Sequence, residues 1–282
     1  MAHMKRIAAK FKELRARNEA AFVPFIVAGD PDLDSTRRLV LELDARGADI
    51  IELGVPFSDP MADGPANQRA LARGLGSGAS LAAILSMVSE LRRETQIPLV
   101  LFGYYNPIFH YGPERLCADA AKAGIDALLV VDLPPEEAAE LAEPARQNGL
   151  DIIYLFAPTT SLERARKIAR KASGFIYCVA VAGVTGARAQ LPTDLKDHID
   201  ALHAVTELPL GVGFGISTPE QAAQVATFAD AVVVGSAITL VVEKHGKSPE
   251  MVSAVGDMVA AMKTAIRQAR GGHETRMEQT DG

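Results

Sequence analysis

Short apolar runs alternate with longer amphipathic stretches along almost the whole chain. The runs are rich in Val, Ile, Leu and Ala, which is typical of strands buried in a parallel sheet. The stretches between them have the spacing of helices that cover such a sheet, and two helix starts, Thr160–Glu163 and Thr218–Gln221, match the capping-box pattern. The pattern predicts eight strands, at Ala21–Ala28, Asp49–Leu53, Pro98–Phe102, Ala127–Val131, Asp151–Phe156, Gly174–Val181, Pro209–Val212 and Ala231–Val234.

Eight strands separated by helices favour an α/β fold of the closed (β/α)8 or TIM-barrel type, preceded by one extra N-terminal helix. No Pro- or Ser-rich linker divides the chain, so we expect one domain over residues 1–270 and a flexible, polar tail over residues 271–282. A doubly wound open sheet is the rival architecture. Against it, the first strand is followed by Gly29-Asp-Pro-Asp32 and not by a glycine-rich loop that opens a helix.

Composition and charge narrow the functional classes. The 282 residues carry a net charge of -6 and contain no Lys/Arg cluster interleaved with aromatic residues, so a nucleic-acid surface is not indicated. No apolar run approaches the length of a membrane span, and the N-terminal segment is charged and helix-like, unlike a signal peptide. The 2 cysteines and 6 histidines have no metal-ligand spacing. We therefore expect a cytoplasmic protein with no metal, no membrane contact and no nucleic-acid partner.

The second predicted strand ends in a carboxylate. Alternation along this strand puts Ile50 and Glu52 on one face, and Ile51 and Leu53 on the other. If both faces are buried, as they are in a barrel, Glu52 points into the interior. Burial favours the neutral form of a carboxyl group and raises its pKa toward the range that is useful for proton transfer. Glu52 is therefore the first candidate for a catalytic acid or base.

Polar residues collect where the predicted strands end, which is where the loops of a barrel carry its chemistry. They are Asp30, Asp32, Glu52, Asp63, Tyr104, Asn106, Asp132 and Thr159. Glycine-bearing turns follow the last three strands, at Gly183–Gly186, Gly213–Ser217 and Gly235–Ser236. Backbone amides in such turns and at helix N-termini can hold a phosphate group, and the loops after strands seven and eight are its usual place in this fold. The alternative is that each glycine only serves a tight turn.

Seven motifs resemble the tryptophan synthase α subunit family, in the family's order. They are Phe22-Val-Pro-Phe25-Ile-Val-Ala-Gly-Asp30-Pro31, Glu52-Leu-Gly-Val-Pro-Phe-Ser-Asp-Pro-Met-Ala-Asp63-Gly-Pro65, Tyr104-Tyr-Asn-Pro107, Asp132-Leu-Pro134, Gly183-Val-Thr-Gly186, Gly213-Phe-Gly215 and Val234-Gly235-Ser236. The resemblance covers residues 5 to 265. Its first two motifs are signatures of this family rather than general features of barrels.

The resemblance implies a lyase of tryptophan biosynthesis, which cleaves indole-3-glycerol phosphate to indole and glyceraldehyde 3-phosphate in a retro-aldol reaction. Indole would pass to a β subunit that holds pyridoxal phosphate, in an α2β2 heterotetramer, while this chain would need no cofactor. At the matching positions, Glu52 would protonate indole C3 and then accept the proton of the glycerol hydroxyl. Asp63 would bind the indole N–H as an anion, a task that requires a low pKa.

The resemblance also implies contacts with substrate and partner. Gly186, Phe214, Gly215, Gly235 and Ser236 match the family's phosphate contacts. Phe25, Tyr104 and Tyr177 are candidate substrate contacts at the strand ends, and for Phe25 and Tyr177 the alternative is that they are ordinary core residues. Residues 186–192 are expected to form a mobile lid that excludes water. The Ser58–Asp63 loop and the Asn106–Pro107 turn are expected to face the β subunit.

Other functions stay open on the sequence. A standalone indole-3-glycerol phosphate lyase would have the same residues and no obligate partner. A non-catalytic phosphate-binding barrel that activates the partner is a second alternative, and the presence of both Glu52 and Asp63 argues against it. A different phosphate-sugar barrel enzyme would want a Lys or Cys at a strand end, whereas no predicted strand ends in Lys and Cys178 lies inside the sixth.

Overall fold

The structure, a computed structural model, describes residues 5–180, 194–213 and 215–271. The helices among these residues are α1 (Arg6–Ala16), α2 (Leu33–Ala45), α3 (Pro65–Gly76), α4 (Leu81–Leu91), α5 (Tyr105–Tyr111), α6 (Pro113–Ala123), α7 (Ala139–Gln147), α8 (Leu162–Ala169), α9 (Leu195–His203), α10 (Pro219–Ala226), α11 (Ser236–His245) and α12 (Met251–Gly271). The strands are β1 (Ala21–Val27), β2 (Ile51–Gly54), β3 (Leu99–Gly103), β4 (Ala127–Val130), β5 (Asp151–Ile153), β6 (Leu155–Phe156), β7 (Ile176–Val179), β8 (Leu210–Gly213) and β9 (Ala231–Val234).

The strands form one sheet in the order β5-β4-β3-β2-β1-β9-β8-β7-β6, and every pairing is parallel. The first strand pairs with both the second and the last, so that Phe25 lies opposite Glu52 and Val23 opposite Val233. The two ends of the order, β5 and β6, are separated in the chain only by Tyr154. The sheet therefore closes into a barrel, and the predicted (β/α)8 fold is confirmed.

The sequence predicts one strand over Asp151–Phe156, whereas the structure has two. β5 pairs with β4, and β6 pairs with β7. Between them, the carbonyl of Tyr154 accepts a hydrogen bond from the N–H of Tyr177 at 3.0 Å. The chain thus changes its pairing partner at Tyr154 without leaving the sheet, and two short strands occupy the position of the predicted fifth strand.

Alternate residues of the strands point into the barrel, as the two-residue period of a strand requires. They form a continuous apolar cluster of Ala21, Val23, Ile50, Val100, Ala127, Leu129, Ile153, Phe175, Tyr177, Ala231 and Val233. Helix α1 buries Ile7, Phe11 and Leu14 in the same cluster, since their spacing puts them on one helix face. Its neighbour Lys5 pairs with Asp151 at the start of β5, so α1 closes the end where the strands begin. The predicted extra helix is confirmed.

The outer faces of the strands pack under the surrounding helices and form the larger apolar cluster. Helix α12 shows how the sequence specifies this layer. It buries Met251, Val255, Val259, Met262 and Ile266, which recur every three or four residues and so share one face of the helix.

Three buried aspartates lie where the strands begin, and we call Asp49, Asp126 and Asp151 the basal aspartates. Their side chains are 4 to 8% exposed. Each is paired with a cation: Asp49 with Lys263 (2.6 Å), Asp126 with Arg6 (3.0 Å) and Arg92 (2.9 Å), and Asp151 with Lys5 (2.8 Å). Asp49 and Asp126 also accept hydrogen bonds from the N–H groups of Phe22 and Leu99, both at 2.8 Å. These contacts join neighbouring strands and supply the partners that buried charges require.

The helix starts agree only in part with the sequence patterns. Thr218 and Gln221 form the predicted capping box at the start of α10. At the start of α8 the N-cap is Ser161, and the capping box predicted at Thr160 is wrong. The hydroxyl of Thr160 instead accepts a hydrogen bond from the N–H of Ala157 at 2.9 Å, which closes the preceding turn.

Within the described ranges, no single helix is long and apolar enough to cross a membrane, although α3 and α4, bent by 90°, pass that test as a pair. Helix α12 extends through Gly271, the first residue of the predicted tail. Residues 272–282 and the expected lid, residues 186–192, lie outside the described residues. The division into one domain and a tail stays a prediction.

Candidate active site

Glu52 lies in β2 with its side chain inside the barrel, opposite Phe25 of β1 and Val100 of β3. The residue is 1% exposed. In the part of the chain that the structure describes, its Oε1 atom has no hydrogen-bond partner. Burial raises the pKa of Glu52 to about 8, so the carboxyl group is mostly protonated at neutral pH. The burial that the strand pattern predicts is confirmed, and the direction of the pKa shift agrees with it.

Asp63 is buried in the loop that leads into α3. Tyr104 Oη donates a hydrogen bond to its Oδ2 atom at 2.6 Å, and Asn67 Nδ2 donates one to its Oδ1 atom at 3.1 Å. Burial raises the pKa of Asp63, and the two hydrogen bonds act against this increase. The expectation of a low pKa is therefore wrong, because neutral donors offset only part of the cost of burying the charge.

Tyr104 connects the Asp63 loop to α5. Its hydroxyl donates to Asp63 and accepts a hydrogen bond from the N–H of Ala62 at 3.1 Å. Its ring lies 5.2 Å from the ring of Phe57, and the residue is the N-cap of α5. Burial and the neighbouring carboxylate raise the pKa of Tyr104, so its hydroxyl remains a donor. The sequence assigns Tyr104 only a substrate contact, and its bond to Asp63 is a further role that the structure shows.

Tyr177 reaches the same interior from β7. Its ring occupies the space beside Gly213, where an added Cβ atom would lie 2.0 Å from Tyr177 Oη. Burial raises the pKa of Tyr177 well above its usual value, and the negative charges of Glu52 and Asp63 raise it further. Tyr177 belongs to the same interior cluster as Val100, which lies opposite Glu52 on the neighbouring strand. The structure thus places Tyr177 and Glu52 in the interior of one barrel.

Two phenylalanine rings line the interior beside Glu52. The rings of Phe25 and Phe102 meet edge to face, with their centroids 5.1 Å apart. Gly54 and Gly235 make room for Phe25, since a Cβ atom at these positions would lie 2.6 and 3.3 Å from its ring. The result is an apolar wall of the kind that accommodates a flat aromatic ligand.

Two predicted phosphate contacts lie where β9 leads into α11. Gly235 is the N-cap residue of this helix, and Ser236 is its first residue, at the helix end that favours an anion. Gly215 follows β8 and has a φ angle of +89°, which L side chains rarely adopt. The predicted contacts Gly186 and Phe214 lie outside the described residues.

Other polar residues at the strand ends make structural contacts. Asp32 caps α2 by accepting a hydrogen bond from the backbone N–H three residues further on. Asp132 accepts one from the N–H of Tyr105, the first residue of α5, at 2.8 Å. Asp30 pairs with Arg73 through two hydrogen bonds of 2.8 Å. These contacts fix the helices that surround the site.

Two buried residues beside Asp63, Asn67 and Thr239, are not predicted from the sequence. Asn67 lies in the first turn of α3, four residues after Asp63, and that spacing is the signal that could have identified it. Its Oδ1 atom accepts a hydrogen bond from Thr239 Oγ1, in α11, at 3.1 Å. No sequence signal connects these two residues, because 172 positions separate them.

The site thus offers a neutral carboxyl group, a hydrogen-bonded carboxylate, an apolar wall and a helix N-terminus. This set can exchange protons with an aromatic ligand that carries an anionic group. Among the described residues, no group of three or more His, Cys, Asp or Glu side chains is arranged to hold a metal ion.

Comparisons with known proteins agree on one family. The family model described as tryptophan synthase alpha chain matches residues 11–267. A tryptophan synthase alpha chain from Geobacter sp. (strain M21) is 55% identical over 263 residues, which cover 93% of this chain and 98% of the relative. The crystal structure of tryptophan synthase subunit alpha from Legionella pneumophila str. Paris is similar with a TM-score of 0.87 and 40% identity, covering 94% of this chain and 100% of that one. A chain of Mycobacterium tuberculosis tryptophan synthase is similar with a TM-score of 0.86 and 32% identity, covering 94% and 99%.

Proposed function

The chain belongs to the tryptophan synthase α chain family, whose members cleave indole-3-glycerol phosphate, and we propose that Glu52 and Asp63 carry out this cleavage. The reaction yields indole and glyceraldehyde 3-phosphate. The observation that carries the proposal is the state of Glu52: the residue is 1% exposed, and burial raises its pKa to about 8. Burying a carboxyl group inside an apolar barrel destabilises the folded state, but the protonated group is well suited to donate a proton.

Glu52 acts first as an acid. It transfers its proton to C3 of the indole ring, which converts the aromatic ring into an iminium-like species. As a carboxylate, it then accepts the proton of the hydroxyl group on the adjacent glycerol carbon. The bond between C3 and that carbon breaks, its electron pair restores the aromatic indole, and the glycerol carbon becomes the aldehyde. One proton leaves Glu52 and one returns, so the residue is ready for the next turnover.

Asp63 acts on the indole nitrogen. Protonation at C3 creates positive charge on this nitrogen, and an adjacent carboxylate stabilises that charge. The hydrogen bonds from Tyr104 and Asn67 favour the ionised form of Asp63 against the effect of burial. The two carboxyl groups therefore take different parts, with Glu52 active when protonated and Asp63 active when ionised.

The remaining contacts hold the substrate. Phe25, Tyr104 and Tyr177 border the indole ring in this proposal. In support, Phe25 lies opposite Glu52, Tyr104 donates to Asp63, and Tyr177 belongs to the interior cluster. The phosphate group binds at the N-terminus of α11, to Gly235 and Ser236, and to Gly215. Gly186 and Phe214 are added to this phosphate site on the family resemblance alone.

The family pairs with a β subunit, and we propose an α2β2 heterotetramer in which the partner holds pyridoxal phosphate and this chain holds no cofactor. The partner-facing surface consists of the Ser58–Asp63 loop and α5. In support, Met61 in the loop is 84% exposed and Phe109 in α5 is 57% exposed, and apolar side chains of this exposure are typical of interfaces. A cytoplasmic location accords with two free, buried cysteines.

The test is indole release from indole-3-glycerol phosphate by the wild type, Glu52→Gln and Asp63→Asn, each with and without a tryptophan synthase β subunit. We expect each substitution to lower kcat by about 10²- to 10⁴-fold, as loss of an acid or base does. Glu114→Gln, an exposed change in α6, is the matched control and keeps the wild-type rate. If Glu52→Gln retains its rate while binding phosphate normally, the assignment of Glu52 is wrong. If the β subunit leaves the wild-type rate unchanged, the partner proposal fails.

A further inference from the structure

A buried polar chain connects Asp63 to the helix that begins at the proposed phosphate site. Asn67 Nδ2 donates to Asp63 Oδ1 at 3.1 Å, and Thr239 Oγ1 donates to Asn67 Oδ1 at 3.1 Å. Asp63, Asn67 and Thr239 are all buried. Thr239 lies one turn after Ser236, the first residue of α11.

The orientation of the Asn67 amide decides whether the Asp63 carboxylate faces a hydrogen-bond donor or an acceptor. With Nδ2 toward Asp63, the amide donates to the carboxylate, whereas the reversed amide would present an oxygen to a negative charge. The Thr239 hydroxyl favours the first orientation, because it gives Asn67 Oδ1 a donor. The carbonyl of Ser236 is a second acceptor for the same hydroxyl, at 3.0 Å. One hydroxyl hydrogen serves one of them fully at a time, so the bond to Asn67 competes with a bond inside α11.

Ion pairs hold α3 and α11 together around this chain. Arg69 of α3 donates to both carboxylate oxygens of Glu243 in α11, at 2.6 and 2.7 Å. Arg73 donates to Glu243 at 3.0 Å and to the buried Asp30, which follows β1. These contacts tie α3 to α11 beside the hydrogen bond between Asn67 and Thr239.

We propose that Asn67 is a positioning residue for Asp63, and that Thr239 acts through Asn67 by fixing the orientation of its amide. This inference rests on the proposed role of Asp63 in the cleavage. Tyr104 holds Oδ2 of Asp63 and Asn67 holds Oδ1, so both oxygens of the carboxylate have a fixed direction. Among the described residues, the titratable groups linked to Asp63 are Tyr104, the N-cap of α5, whose hydroxyl donates to it, and Tyr177 on β7, on which the charges of Glu52 and Asp63 both act. The charge of Asp132 also acts on Tyr104.

The experiment measures indole release across pH for Asn67→Leu, Thr239→Val and the double variant. Asn67→Leu should lower kcat about tenfold, because a hydrogen bond to a charged group is lost, and Thr239→Val about threefold. KM should change by less than about twofold, as expected when only transition-state interactions weaken. Loss of the Asn67 donor raises the pKa of Asp63, so the acid limb of kcat/KM moves to higher pH. In the Asn67→Leu background, Thr239→Val should have no further effect, since it acts through Asn67.

Two control variants separate positioning from folding. Thr264→Val removes an exposed hydroxyl that donates to a carbonyl of its own helix, and Asn148→Leu removes an exposed amide with a comparable bond. Both should keep the wild-type kcat and pH profile. Asn67→Leu and Thr239→Val variants that only melt at lower temperature, with kcat and the acid limb unchanged, would overturn the inference, as would additive effects in the double variant.

Asp63→Asn, measured alongside, distinguishes the proposed role of Asp63 in the cleavage from the positioning role of Asn67. If Asp63→Asn keeps its rate, the proposed role of Asp63 fails and this inference fails with it. If Asp63→Asn is inactive while Asn67→Leu matches the wild type, only the positioning role is refuted.

Discussion

Buried carboxyl groups lie at both ends of the barrel, and their surroundings differ. At the end where the strands begin, each basal aspartate pairs with Lys or Arg at 2.6 to 3.0 Å. At the other end, Asp63 receives hydrogen bonds from two neutral side chains, and Glu52 Oε1 has no partner among the described residues. Asp30, which follows β1, pairs with Arg73 and so resembles the basal aspartates. Glu52 and Asp63 differ from all four of these aspartates, because neither has a cation as a partner among the described residues.

The difference indicates which buried carboxyl groups stabilise the folded state and which destabilise it. A buried charge with cations and backbone donors joins strands and helices, and removing one partner is expensive. A buried carboxyl group without them shifts its pKa and takes up a proton, which is what acid catalysis needs. Substitutions and pH changes at the two ends of the barrel test this comparison.

The largest effect is expected at the base of the barrel. Lys263→Met leaves Asp49 without its cation, and we expect the free energy of unfolding to fall by about 3–5 kcal/mol, with kcat of the folded protein unchanged. Urea denaturation measures the first quantity and indole release the second. Lys167→Met, which breaks an exposed pair with Glu163, is the control and should cost less than about 1 kcal/mol. Equal effects of the two substitutions would contradict the comparison.

At the opposite end of the barrel, removing a buried carboxyl group should raise the free energy of unfolding instead of lowering it. Glu52→Leu replaces a carboxyl group that has an unpartnered oxygen with an apolar side chain of similar size. We expect the free energy of unfolding to rise by about 1–3 kcal/mol, which is the cost of an unsatisfied buried polar group, while activity is lost. Thermal unfolding and indole release measure the two. A variant less stable than the wild type would mean that Glu52 has stabilising contacts.

The sequence predicts the burial of Glu52 at one end of the barrel, but it does not predict the ion pairs at the other. The position of Glu52 follows from the alternation of Ile50, Ile51, Glu52 and Leu53, because a strand with both faces buried leaves no other place for the side chain. The basal pairing of Asp49 with Lys263 does not follow, since 214 residues separate the partners. Local periodicity specifies burial, whereas the partner of a buried group depends on the closed fold.

The candidate site shows the same limit. The motif identifies Asp63, but its pKa depends on which groups meet it after folding, and Tyr104, Asn67 and Thr239 come from three separate elements. The low pKa expected from its role was wrong for that reason. The break in the predicted fifth strand at Tyr154 is a further case, because pairing with β4 or β7 leaves no mark in the local sequence.

Stability should depend on pH through Glu52. Between its ordinary pKa of 4.5 and its folded value of about 8, the folded chain keeps a proton that the unfolded chain releases. The contribution of Glu52 to the free energy of unfolding is therefore fully present below its ordinary pKa. It is lost as the pH rises toward the pKa of the folded state, with a slope of at most about 1.4 kcal/mol per pH unit. The difference in unfolding free energy between the wild type and Glu52→Gln, measured across this range, isolates the contribution. A difference that does not vary with pH would contradict the raised pKa.

The rate should respond to both carboxyl groups. Because Glu52 must be protonated, kcat/KM should fall about tenfold per pH unit above its pKa of about 8. Because Asp63 must be ionised, kcat/KM should also fall at low pH, and that limb lies above the usual range for an aspartate since burial raises its pKa. A pH series of indole release checks both limbs. An alkaline limb absent up to about two pH units above the pKa would contradict the role of Glu52.

A titration of Glu52 itself shows directly whether this carboxyl group is buried without compensation. Carbon-13 NMR of protein labelled at the glutamate carboxyl carbons follows each group across pH, and the signal missing from Glu52→Gln identifies residue 52. We expect a carboxyl group that is protonated at neutral pH and ionises near its pKa of about 8. A Glu52 signal that titrates near the ordinary value of 4.5 would contradict this, because it would show that the charge of Glu52 is compensated as the charges of the basal aspartates are.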